Sequence, residues 1–510
     1  AYADVMANIN KRFGDLSLSA NIGGSFTQTY YDERGFQGGL KDMSNVFSLY
    51  NMTTTLDKDT YPIESGYKQR TNSIFASVEI GWKSMLYMTL TGRNDWDSAL
   101  INTEQSSFFY PSIGLSGVIS EMVKLPKAIT YLKVRGSFAS VGAPIPKNLS
   151  SNKTYEWDPA TSQWKLQTYR PLPKLYPERT NSWEAGLNAK FFNNSLSLEV
   201  TWYKANTRKQ TFQVPLSGTA VYATMYAQSG NIENKGMEFS LGYNKSWGDF
   251  SWNSNLTFSF NKNKIVELLD DAVDDEGNHY SLNEIDKGGI GSAKVILRKG
   301  GSMGDMYVTN RLKRDNEGNV YIDKASQNVK KEDIKNSDEF IHIGSVLPKS
   351  NLGFRNDFSY KGISLGFMLA ARFGGIVISP TQAVMDQFGV SKVTALARDN
   401  EGVPVNNGKV DPQTYYTEVG GISGLMSNYV YSATNVRLQE LSVGYSLPAK
   451  WFNNKCNLSL SITGHNLWMI YNKAPFDPEA TASTGTYYQG VDYFMQPSLR
   501  SWGFNVKIQF

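Results

Sequence analysis

The side chains best suited to metal or nucleophilic chemistry are few here and badly placed for it. His279, His342 and His465 lie far apart, and none stands at metal-ligand spacing from another. Cys456 is the sole cysteine, which excludes a disulfide framework and a thiolate metal cluster. Neither Gly-x-Ser-x-Gly nor a Walker-type run occurs. Asp and Glu pairs fall in polar stretches, without the apolar setting that separates an acid from a base. No active site is expected, and no cofactor.

What remains is chemistry of contact. Aromatic rings in polar loops can pack a flat face on the apolar C–H face of a sugar. The candidates are Tyr155, Trp157 and Trp164 in one stretch, Tyr222 and Tyr226 in another, and Tyr487, Tyr488 and Tyr493 in a third. The same rings serve equally to pack the loops together or to meet a partner protein. An acidic group, Asp270, Asp271, Asp274, Asp275 and Glu276, reads as a solvated loop, with cation binding as its rival.

The elements that must position these residues follow from composition and period. Aromatics are 13% of the chain, yet mean hydropathy is −0.39. That pairing suits a wall whose strands meet lipid on one face and water on the other, so that the average cancels. Net charge is +4 without a basic stripe, and no nucleic-acid partner is expected. No uncharged apolar run reaches about 18 residues. The nearest, 362–379, carries Arg372 and alternates, so it reads as a strand entering a loop. Ala1-Tyr2-Ala3-Asp4 opens directly in a strand-like pattern, with no signal peptide.

Period-2 alternation runs throughout. Leu196, Leu198, Val200 and Trp202 alternate with Ser195, Ser197, Glu199 and Thr201; Phe250, Trp252, Leu256, Phe258 and Phe260 alternate with polar neighbours. Fifteen strands are predicted, near 2–12, 16–26, 71–82, 85–95, 109–120, 130–141, 179–192, 195–208, 232–247, 250–263, 350–360, 363–373, 433–447, 456–468 and 499–510. Short turns such as Gly248-Asp249 and Lys361-Gly362 alternate with long polar stretches: 27–69, 97–107, 143–177, 209–231, 265–348, 375–432 and 469–497. Short turns at one end and long loops at the other are the layout of an outer-membrane barrel. A structureless loop of roughly 80 residues is foreign to a soluble domain but can cap a barrel. The fold expected is all-β, a transmembrane antiparallel β-barrel, with 1–510 as one barrel unit. An odd strand count is expected to mean a chain incomplete at its N-terminus, because single-chain bacterial barrels have even numbers. His465, out of phase with Ile462 and Gly464, points to the lumen. Trp82, Trp183, Trp247 and Trp451 lie near strand ends and read as interface girdle.

The last strand puts Trp502, Phe504, Val506, Ile508 and terminal Phe510 on one face. An amphipathic strand ending in Phe resembles the signal read by the outer-membrane barrel-assembly machinery. Ordered runs carry a wider likeness: Leu90-Thr-Gly-Arg-Asn-Asp95, Phe109-Tyr-Pro-Ser112, Leu132-Lys-Val-Arg-Gly-Ser137, Leu175-Tyr-Pro-Glu-Arg-Thr180, Trp183-Glu-Ala-Gly186 and Val200-Thr-Trp-Tyr203. They continue with Asn231-Ile-Glu-Asn-Lys-Gly-Met-Glu238, Val436-Arg-Leu438, Leu441-Ser-Val-Gly-Tyr-Ser-Leu-Pro448, Gly464-His-Asn-Leu467 and Phe476-Asp-Pro-Glu479. Together these resemble the C-terminal barrel portion of SusC-like (RagA-like) TonB-dependent outer-membrane transporters.

That resemblance implies a plugged barrel of about 22 strands, whose plug and first strands lie outside this chain. It implies outer-membrane lipids as surroundings, TonB as energy source through the missing N-terminal segment, and a SusD-like lipoprotein as lid. The cargo implied is an oligosaccharide or a peptide, imported with energy coupling, and the loop aromatics become candidates to face cargo or lid. A passive porin-like channel and a surface adhesin are the rival readings. One departure concerns calcium: in Tyr321-Ile-Asp323-Lys-Ala-Ser-Gln-Asn328 the family's acidic loop has Ala325 and Gln327 at ligand positions, so no metal is expected there.

Overall fold

A computed structural model describes residues 1–53, 61–101, 103, 105–143, 149, 155–158, 163–166, 169–170, 176–215, 224–273, 279–326, 328–406, 408–453, 455–483, 485 and 489–509. Its frame is one antiparallel sheet of fifteen strands in sequence order. They are β1 (Tyr2–Phe13), β2 (Leu16–Gln37), β3 (Tyr61–Trp82), β4 (Leu86–Asp97), β5 (Ser107–Val118), β6 (Ile129–Ala143), β7 (Glu178–Phe191) and β8 (Leu196–Pro215). The rest are β9 (Thr224–Trp247), β10 (Phe250–Glu267), β11 (Ser350–Tyr360), β12 (Ile363–Phe373), β13 (Asn435–Ser446), β14 (Asn457–Asn472) and β15 (Ser501–Gln509). Each bonds to the next, leaving β1 and β15 as the two edges; the two-residue strand Tyr169–Arg170 adds to β9 in parallel.

Register carries the alternation across the whole sheet. One row reads Val134, Leu187, Val200, Phe239, Phe258, Leu352, Ala371 and Val436. Its neighbour reads Arg135, Gly186, Thr201, Glu238, Ser259, Asn351, Arg372 and Asn435. A slip of one residue anywhere would exchange the two faces, so every turn must hold its length. The turns do so with left-handed backbone: Lys83 and Ser84 have φ of 51° and 57°, and Lys361 and Gly362 have 46° and 89°.

On the apolar face near the short turns, rings form a continuous ladder. Tyr243 meets Trp252 at 4.9 Å between centroids, Trp252 meets Phe358 at 5.9 Å, and Phe358 meets Phe367 at 6.3 Å. The Trp252 Nε1–H donates to Asn356 Oδ1 at 3.0 Å, so the indole keeps a polar partner under the rings. This is the girdle expected where a wall meets the membrane–water boundary. Trp82, Trp183, Trp247 and Trp451 are all exposed, as are Trp502, Phe504, Val506 and Ile508 on one face of β15. Phe510 lies outside the described residues.

Two expectations need correction. β2, β3, β8 and β9 run far past their predicted outer ends, so much of 27–69 and 209–231 is strand. Polar side chains there hide the alternation, but the ladder continues: Arg34 pairs with Glu64, and Gln213 with Tyr226. Nor are 265–348 and 375–432 structureless. Strands Glu284–Ile290, Ala293–Arg298, Asp305–Val308 and Ile341–Ser345 form a sheet of their own.

Beside it stand three helices. After a single turn, α1 (Ile119–Met122), come α2 (Pro380–Gln387), α3 (Lys392–Asp399) and α4 (Pro412–Val419). Ser379, Ser391 and Asp411 cap these three by accepting from the Gln382, Thr394 and Thr414 amides. Pro380 and Pro412 follow two of the caps at the first helical position.

Both loops share one apolar core, which includes Val295, Leu297, Met306, Val308, Ile378, Leu425 and Met426 and reaches Phe212, Ile232 and Ile265 of the wall. Ser292 staples the two loops, its hydroxyl donating to the Gly424 carbonyl and accepting from the Met426 amide, both at 3.1 Å. Leu425 is fully buried, and its truncation to Ala should cost the cap about 2–5 kcal/mol. Limited proteolysis of L425A should cut faster within 268–349 and 374–434, while the heat-dependent gel shift of the barrel stays unchanged; loss of that shift would show that cap and wall fold as one.

Candidate functional site: the polar face and its rim

The polar rows of β6 to β11 line a concave groove of about 740 Å³. Arg135 spans it, donating from Nη2 to Thr201 Oγ1 at 2.7 Å and to Glu199 Oε1 at 3.2 Å. Room for that guanidinium comes from Gly186, where a Cβ would stand 2.6 Å from Arg135 Nε. Tyr203 lies across Gly236 in the same way and donates to Asn261 Oδ1 at 3.0 Å. Glu184 and Glu238 also line the groove, with no ion-pair partner among the described residues. The surface is therefore wet, rich in acceptors and net negative.

The polar face continues with Arg355, which donates to Asp357 at 2.9 Å and lies 3.5 Å from Glu440. His465 is in register with Glu440, its Nδ1 4.0 Å from that carboxylate, which puts it on the lumenal side as the spacing predicts. His342 stands 3.6 Å from Asp305 and packs on Tyr307. Among the described residues no group of three His, Cys, Asp or Glu could hold a metal ion. Asp323 is occupied in a turn: Oδ1 accepts from the Ala325 amide and from the amide and hydroxyl of Ser326. The Ser326 donors hold its carboxyl below the ordinary value. Of the acidic group, Asp274, Asp275 and Glu276 lie outside the described residues.

Runs far apart in sequence meet at the rim. Arg437, nearly buried, pairs with Asp477 at 2.9 Å and Glu479 at 2.8 Å, and also donates to Asn435 and Asn466. Four of the signature side chains thus form one anchor that ties the last long loop to β13 and β14. Burial pushes the Asp477 carboxyl upward, but donors from Ser498, the Glu479 amide and Arg437 outweigh it and hold it below the usual range. Another such pairing joins Arg93 to Asp95 at 2.7 Å and to Ser73 at 2.7 Å, with the Tyr110 hydroxyl donating to Asp95.

The loop aromatics do not form one constellation. Tyr155 and Trp164 are exposed on a short hairpin, Tyr155–Asp158 with Gln163–Leu166. Trp157 opposes Trp164 in backbone register, and its side chain is outside the described set. Tyr226 packs on a small core of Leu100, Phe108 and Leu149. Tyr493 is exposed beside Phe494, next to α2. Tyr222, Tyr487 and Tyr488 lie outside the described residues. Arg135, Glu199, Thr201, Tyr203 and Glu238 each stand in a run that the sequence marks out, but not as one groove, because their convergence depends on parity within a strand plus register between strands, not on residue type.

Replacing Arg437 by Leu leaves the nearly buried Asp477 carboxylate without its cation, at a cost of about 3–5 kcal/mol. In the wild type the depressed Asp477 carboxyl contributes stability that is full above its ordinary value of 3.8 and is lost as pH falls through the lower folded value. Protease resistance of 473–500 should thus hold from about pH 7 to pH 5 and fail only below about pH 4; R437L should fail at every pH. Equal resistance in the two proteins would discard the anchor.

A family model described as TonB dependent receptor-like, beta-barrel matches residues 2–292. The chain is 26% identical to TonB-dependent receptor P3 of Formosa agariphila, over 98% of this chain and 51% of that protein. It is 23% identical to TonB-dependent receptor SusC of Bacteroides thetaiotaomicron, over 86% of this chain and 43% of that one. Among solved structures, the RagAB peptide importer in its open-open state superposes with a TM-score of 0.74 at 18% identity, covering 100% of this chain and 54% of that chain, a likeness of fold. This chain spans about half the length of the relatives it matches. With its wall, girdle and rim as described, it is an outer-membrane β-barrel and belongs to the TonB-dependent receptor-like β-barrel family.

Proposed function

We propose that this chain, as one barrel unit over 1–510, is the wall and rim of an energy-coupled importer that carries a large polar nutrient across the outer membrane, oligosaccharide before peptide. The observation that carries the reading is the groove on the polar face. A wall with apolar rows toward lipid presents Arg135, Glu199, Thr201, Tyr203 and Glu238 to water on its other side. Hydroxyls, amides and carboxylates in that density suit a solute made of many weak hydrogen-bonding groups.

A lumen too wide for side chains to fill needs a plug. The outer membrane holds no ATP, so work on that plug comes through TonB, by way of a segment outside this chain. A SusD-like lipoprotein lid belongs on the long-loop side, where Tyr155, Trp164 and Tyr493 offer exposed rings to lid or cargo. The outward row of β15 serves as the assembly signal.

Uptake of a fluorescent oligosaccharide by cells carrying the full-length protein should require TonB and collapse on uncoupling. The double variant E184Q/E238Q should slow it severalfold with normal barrel yield. In a planar bilayer the full-length protein should stay silent; a steady open conductance, with uptake indifferent to TonB, would replace the importer by a passive pore.

A further inference from the structure

The lipid-facing side carries a defect near the short turns. Across most of that face the positions hold Leu, Val, Phe or Trp, but Gly117 of β5 and Gly136 of β6 are diagonal neighbours there, since Gly117 pairs with Val134 and Leu115 with Gly136. The two missing side chains open a trough of about 680 Å³, almost wholly apolar, bordered by Ile80, Trp82, Leu86, Met88, Leu115 and Met122. A Cβ on Gly136 would meet nothing nearer than the Glu184 carbonyl at 3.8 Å, so the floor is open there. The end wall is built: α1 folds back so that Met122 Cε would lie 3.2 Å from a Cβ on Gly117.

The connection that follows Met122 carries basic side chains. Lys124 and Lys127 follow α1 in the connection to β6, exposed and with no carboxylate partner among the described residues. Lys83 follows Trp82, its Nζ 5.2 Å from the indole centroid and 3.6 Å from Asp15. Glu121 is the carboxylate within α1. The short-turn end of such a barrel faces the periplasm, so the trough opens into the inner leaflet, whose glycerophospholipids carry their phosphates at the boundary on the short-turn side. Basic side chains at a membrane surface select anionic headgroups.

We propose that this trough is a binding site for one anionic glycerophospholipid of the periplasmic leaflet. An acyl chain lies over Gly117 and Gly136, and the phosphate sits against Lys124 and Lys127. The site depends on the wall facing lipid and not on import, so its fate is separable from that of the transport reading.

The test is native mass spectrometry of the full-length protein in mild detergent, with phosphatidylglycerol or phosphatidylethanolamine added. Wild type should retain one phosphatidylglycerol in preference to phosphatidylethanolamine. Filling the floor with G136F should lower retention of both lipids severalfold. K124Q/K127Q, which lies outside the sheet and leaves barrel assembly alone, should remove the preference for phosphatidylglycerol while sparing chain binding. No retained phospholipid in the wild type, an unchanged preference in K124Q/K127Q, or a lipoprotein acyl chain in place of phospholipid would each overturn the assignment.

Discussion

Every other feature of this chain depends on a backbone that cannot leave an amide unpaired in hydrocarbon. Water is absent there, and each orphaned N–H or C=O costs several kcal/mol, so strands that cross must bond to neighbours on both sides. Fifteen strands in strict sequence order meet that demand everywhere but at the outer sides of β1 and β15, because each hairpin supplies the next ladder before the chain moves away. Period 2 then does the sorting. Once pairing is continuous, a polar residue has nowhere to point but the lumen, and Arg135, Thr201, Glu238 and Asn351 become neighbours without any local signal.

The same constraint explains where regularity is relaxed. The register of β13 shifts against β12 between Met368 and Leu369, and against β14 at two points. The shifts fall at the rim, where Arg437 must reach Asp477 and Glu479 instead of staying in the row. A bulge re-aims a side chain at the expense of local pairing. Asn435 and Asn466 take up guanidinium hydrogens that the shifted geometry leaves over. In the body of the wall, close approaches are solved with glycine: Gly236 lies where any Cβ would meet the Phe260 carbonyl.

How much of this could be read from the sequence varies by physical cause. Leu196 to Trp202 and Phe250 to Phe260 announce themselves because lipid demands an apolar residue at every second position. Outside the bilayer that demand lapses, so the outer reaches of β2, β3, β8 and β9 look like polar loop although the ladder continues. The cap was hidden for another reason. Its strands are three to seven residues long and its helices eight, too short for a period to rise above composition. Ser379-Pro380 and Asp411-Pro412 did carry a legible start signal, an oxygen cap followed by a proline. Arg437 and Asp477 were visible as separate runs but not as partners, because their pairing depends on how the last loop returns over the rim.

The shared core of the cap has a consequence for how the molecule is made. Residues 268–349 leave the wall after β10, and the core they build is shared with 374–434, which leaves it only after β11 and β12. Without the second segment the core around Val295, Leu297 and Met306 lacks Ile378, Leu425 and Met426, and Ser292 has neither of its stapling contacts. A complete cap thus needs both segments on the outer side of the wall. An intact cap therefore reports that β10 through β13 are all in place.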